Sequence, residues 1–116
     1  MSEEEVRSDL RDYFAGRLPA RLAELEDALA EVRSSGWAPE PLAKLHRLAH
    51  SLAGAGGTFG WPEVSEAARE LEKFLKSQLG GLTVPVEEAE GRVAEALAEV
   101  RQLAPTLQPS GPAPAL

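Results

Sequence analysis

The sequence predicts an all-α protein, an antiparallel up-and-down four-helix bundle with an additional N-terminal helix. Three observations carry this expectation. Ala, Leu, Glu and Arg dominate, while β-branched residues are few. Apolar residues recur at helical spacing in successive stretches, and nowhere does alternation with a period of two persist long enough for a sheet. The connections are short, which favours antiparallel neighbours. With 116 residues and 43% apolar content, the chain is long enough for one compact domain and too short for two ordinary ones.

The elements follow in order. Ser2 and Glu5 fit a capping box at the start of a first helix carrying Val6, Leu10 and Phe14. Gly16 and Pro19 punctuate it, and Pro19 suits the first turn of a second helix, with Leu22, Leu25, Leu29 and Val32 on one stripe. Ser34 to Pro39 reads as a loop. A third helix is expected from near Glu40 to about Gly56, with Leu45, Leu48, Leu52 and Ala55 inward. Gly60, Trp61 and Pro62 mark a tight connection. A fourth helix follows, with Val64, Ala68, Leu71, Leu75 and Leu79 on one side, and Gly80-Gly81 ends it. A fifth starts between Thr83 and Pro85 and turns Val86, Val93, Leu97 and Val100 inward. The bundle is therefore expected over residues 3–103. Residues 104–116, rich in proline, are expected to form a disordered tail.

The net charge of −7 argues against nucleic acid, whose phosphates need a basic surface. There is no cysteine, so disulfides and thiolate metal sites are excluded. No apolar run approaches the roughly 20 residues needed to cross a bilayer. The acidic start, Met1 to Glu5, lacks a signal-like apolar segment, so a cytoplasmic protein without a membrane role is expected.

The most informative stretch runs from His50 to Gly60: a histidine followed by small residues and glycines. With about 100° per residue on a helical wheel, Ala43, His46, Arg47, Ala53, Gly54 and Gly57 fall within about 60° of His50. Leu45, Leu48 and Leu52 fall opposite, so His50 is expected to face outward. Gly54 would clear space for a docked protein, while inward Gly56 would permit close helix packing. If the hairpin turn centres near Trp61, His50 lies 11 residues before it and Glu72 lies 11 after. Equal rise then sets both at one height, although spacing alone leaves the azimuth open. A carboxylate there would hold one imidazole nitrogen and leave the other as a nucleophile.

The segments Leu48-Ala49-His50-Ser51-Leu52-Ala53-Gly54, Thr58-Phe59-Gly60 and Ala67-Ala68-Arg69-Glu70-Leu71-Glu72 resemble the histidine-containing phosphotransfer (HPt) domain family, notably the phosphotransfer domain of chemotaxis-type histidine kinases. The resemblance extends over residues 5 to 103, with specific motifs between Leu45 and Glu72. It implies a helical bundle whose His50 accepts a phosphoryl group from a kinase or a receiver aspartate and passes it to a receiver domain. Glu72 would orient the imidazole. His46, Arg47, Ala53, Gly54, Gly57 and Arg69 would form the docking surface. Ala53 departs from the family, which usually has lysine or arginine there.

The resemblance also implies response-regulator receivers and a histidine kinase as partners. No cofactor of the chain's own is expected, and Mg²⁺ would come with the receiver. The chain lacks a Gly-rich Lys-Ser/Thr phosphate loop, so it reads as a carrier without kinase activity. His46 and His50, four residues apart, could share a metal, but no third ligand is evident nearby, and no metal site is expected. The competing readings are a non-catalytic helical interaction module and a degenerate phosphotransfer domain that docks receivers without transfer.

Overall fold

The computed structural model describes residues 2–81 and 84–103. Four helices account for the architecture: α1 (Glu3–Ser34), α2 (Pro39–Thr58), α3 (Pro62–Leu79) and α4 (Val86–Leu103). No strand occurs among the described residues. The tail expected over 104–116 and the expected helix start at Thr83 lie outside those residues.

Each helix packs against its two neighbours in a closed ring, α1–α2–α3–α4–α1. Cross-helix contacts run in opposite directions along each pair. Arg11 meets Trp61 in the turn after α2, while Arg21 meets Ser51 and Glu31 meets Lys44 between α1 and α2. Arg33 pairs with Glu90, and Glu26 with Arg101, between α1 and α4. The neighbours are thus antiparallel.

The first two expected helices are one. Pro19 lies inside α1, although it removes a backbone donor and crowds the preceding turn, at a cost of about 3 kcal/mol. Its own ring is exposed, while Phe14, Ala15, Leu18, Leu22 and Leu25 on both sides of it are buried in the same core. Continuous burial outweighs the local break. Ser2 caps the helix, its Oγ accepting from the Glu5 N–H at 3.1 Å.

Two helices end alike. After α1, Gly36 (φ 69°) and Trp37 donate to Arg33 and Val32 carbonyls. After α2, Gly60 (φ 86°) and Trp61 donate to Gly57 and Gly56 carbonyls. Each is a Schellman stop, in which a left-handed glycine returns the chain and the next residue packs inward. Pro39 and Pro62 then open the following helices. The tryptophans differ. Trp61 has an ordinary negative φ and donates Nε1 to the Arg11 carbonyl at 3.1 Å. Trp37 has φ 64°, a costly conformation for a bulky residue, and its buried Nε1 has no partner.

Val86, expected inward, faces water instead, as do Val6, Leu10 and Leu79 on the apolar stripes of their helices. All lie near helix ends, where a neighbouring helix no longer covers the stripe. On α2 the inward face comprises Leu42, Leu45, Ala49, Leu52, Ala53 and Gly56, while Leu48 and Ala55 are only half-buried. The buried sector is rotated toward α3 relative to the leucine stripe.

Candidate functional site

Close approach of α2 and α3 builds the site. A Cβ on Gly56 would stand 2.9 Å from the Ser65 backbone nitrogen and 3.3 Å from the Trp61 carbonyl oxygen, so glycine is needed there. Ser65 is buried and donates its Oγ to the Ala53 carbonyl at 2.7 Å. These contacts clamp the two helices at the hairpin end and set their relative height.

One to two turns further, His50 Nδ1 lies 3.0 Å from both Oε1 and Oε2 of Glu72. The height match read from the hairpin is thus accompanied by an azimuthal match. The imidazole side chain is 72% exposed and the carboxylate 22%. An N–H at Nδ1 donates to the carboxylate in this geometry, which fixes the tautomer and leaves the Nε2 lone pair free. The ring is anchored at one nitrogen and open to solvent, a combination suited to a nucleophile that must meet a macromolecule.

The surroundings divide sharply. Arg47, Gly54 and Gly57 are exposed with His50. A Cβ on Gly54 would meet nothing within 4 Å, so this turn of α2 presents bare backbone beside the histidine. Ala53 does not belong to this surface. It is 3% exposed and lies under α3, so its expected place in docking is corrected. His46 is half-buried, and its Nε2 is buried without a hydrogen-bond partner, so it forms no freely exposed rim. Both corrections have one cause. His50 stands at the α3-facing edge of the exposed strip, and α3 covers half of the arc around it. Arg69 is exposed one turn before Glu72 and lines an open groove with Glu66, Glu70 and Glu99.

The expected site residues omitted Arg21. Its Nη1 donates to Ser51 Oγ at 3.4 Å, so α1 lays a guanidinium on the open face of α2 next to His50 in sequence. The same equal-height argument would have found it, since Arg21 precedes Gly36 by 15 residues and Ser51 follows by 15. Phe59 and Trp61 fill the hairpin end. Phe59 stacks on Phe14 at 5.9 Å, and the Arg11 guanidinium lies 4.1 Å above the Trp61 ring.

The family model of the Hpt domain matches residues 9–103, most of the chain and all four helices in whole or part. The chain belongs to the Hpt domain family. No curated protein and no solved structure matched it significantly. Hpt domains serve histidine phosphotransfer in phosphorelays and work with kinases and receiver domains. Among the described residues, no helix of this Hpt domain is long and apolar enough to cross a membrane.

Proposed function

We propose that this Hpt domain is a histidine phosphocarrier in which His50 takes a phosphoryl group from a receiver aspartate or a kinase and delivers it to a receiver. The observation that carries the reading is the exposed His50 imidazole held at Nδ1 by Glu72. The neutral Nε2 attacks phosphorus in line. With a receiver aspartate as donor, the N–P bond forms as the bond to the aspartyl oxygen breaks, and the carboxylate leaves. The Nδ1 proton stays in place, and the positive charge gathered on the ring faces the Glu72 carboxylate. Transfer onward is the reverse attack by the next aspartate.

Glu72 acts here as a positioning residue. Arg47, Gly54 and Gly57 form the docking strip, joined by Arg21 from α1. Arg21 and Arg47 offer the positive charge that Ala53 does not. Arg69 serves the strip's α3 flank. Mg²⁺ arrives with the receiver, and the phosphorelay is cytoplasmic. Three features favour a competent carrier over a docking-only module: the anchored imidazole, the open Nε2 and the uncovered turn at Gly54.

The test is a panel of phosphorylated receiver domains from the same genome, each mixed with the wild-type chain and with His50→Gln. Transfer from at least one receiver that disappears in the variant supports the carrier. Binding without transfer in every case assigns the chain to docking alone.

A further inference from the structure

The N-terminal part of α1 projects beyond the hairpin. Trp61 Nε1 bonds the Arg11 carbonyl, so Arg11 is level with the α2–α3 turn and residues before it extend past that turn. The overhang and the turn of α1 that follows it carry an uncovered apolar strip. Val6 is 41%, Leu10 40% and Tyr13 61% exposed. They make up three of the five exposed large hydrophobic residues among those described, and they share one helix face. Half-buried Phe59 continues the strip, with its ring centroid 6.0 Å from that of Tyr13. Scattered apolar residues on a surface need no explanation, but a contiguous strip marks an interaction site.

The charges at the ends of the strip identify what covers it. Glu3, Val6, Leu10, Tyr13 and Arg17 follow one another at steps of three and four residues, so an acid closes one end of the face and a base the other. Both end residues are exposed. Reversing an identical strip about Leu10 sets Leu10 on Leu10 of the second copy. Val6 then meets the second Tyr13, and Glu3 meets the second Arg17, twice over. A parallel alignment would instead oppose acid to acid and base to base. Glu3 is held by Arg7 at 2.9 Å in a fully solvated pair, which is easily exchanged. Arg17 has no ion pair or hydrogen bond of its own among the described residues.

We infer that two copies of this chain associate through the α1 overhang in an antiparallel, two-fold symmetric pair centred on Leu10. The interface is isologous and self-complementary. With three exposed apolar side chains from each copy, association is expected to be weak and concentration-dependent. His50 lies about 18 Å from the level of Leu10 by helical rise, and the strip ends at Arg17, one turn before Arg21. This inference does not depend on phosphotransfer.

Sedimentation equilibrium of the full chain, from low micromolar to near-millimolar concentration, tests it. The weight-average mass should rise from 12.4 kDa toward twice that value. Leu10→Glu should weaken association by about tenfold or more, because it buries two unpaired carboxylates at the centre. Circular dichroism should show its helix content intact. Glu3→Lys and Arg17→Glu should each weaken the pair, and the double swap should restore it. A chain that stays monomeric throughout overturns the inference. So does a dimer indifferent to Leu10→Glu or not restored by the double swap. If Leu10→Glu leaves the mass unchanged but slows phosphoryl transfer from a receiver, the strip belongs to the receiver instead.

Discussion

His50 and Glu72 meet across the α2–α3 groove, with the imidazole Nδ1 3.0 Å from each carboxylate oxygen. The hairpin turn places them at one height, and the Gly56–Ser65 contact holds the helices close enough for the side chains to reach. A charge-assisted hydrogen bond of this kind contributes about 1.5–3 kcal/mol.

That bond leads to the first prediction. Glu72→Ala should slow phosphoryl acceptance by His50 by about tenfold to a hundredfold, following the tenfold change per 1.4 kcal/mol. The loss in thermal stability should be smaller than the full bond, because the imidazole is 72% exposed and regains water. Nitrogen-15 chemical shifts of the imidazole supply a separate readout. The wild-type ring should show the Nδ1–H tautomer, and the variant should shift toward Nε2–H. An unchanged tautomer ratio would show that Glu72 does not orient the ring.

Gly54 and Gly56 of α2 should respond oppositely to alanine. A Cβ at Gly54 enters open space, so Gly54→Ala should stabilise the fold by about 0.5–1 kcal/mol through helix propensity. A Cβ at Gly56 lands against Ser65 backbone, so Gly56→Ala should destabilise it by about 1–3 kcal/mol. Urea unfolding of both variants checks the pair of signs.

Size at position 54 should separate folding from docking. Gly54→Trp should retain the helical spectrum and accept phosphate from phosphoramidate, since its side chain has room to extend into solvent. Transfer from a receiver domain should fall by about tenfold or more, because a bulky group blocks close approach. Equal rates from the receiver in both proteins would remove Gly54 from the docking strip.

Pro19 costs α1 a backbone hydrogen bond without offering a visible contact in return. Pro19→Ala should therefore raise stability by about 1–3 kcal/mol in urea melts. A lowered midpoint would mean that the proline shapes the helix in a way the core requires.

How far these features could be read from sequence depends on the kind of information each needs. Turn position and helical rise are local, so the shared height of His50 and Glu72 follows from counting. The Gly-Trp pairs at 36–37 and 60–61 likewise announce the ends of α1 and α2. The side from which a neighbour covers a helix is not local. Ala53 and Val86 illustrate this, since helical spacing assigned one outward and the other inward, while α3 covers Ala53 and Val86 is 51% exposed. Pro19 failed as a helix boundary for a related reason, because burial on both sides of it is a property of the assembled bundle. Arg21 was legible in principle by applying the height argument to the first hairpin as well as the second.

The most direct test of the central claim is chemical labelling of the full chain by phosphoramidate or a phosphorylated receiver, followed by mapping of the modified residue. The account predicts one acid-labile, alkali-stable phosphoryl group on His50 Nε2, absent from His50→Gln. A label that survives in that variant, or a folded wild-type chain that accepts none from any donor, would contradict it.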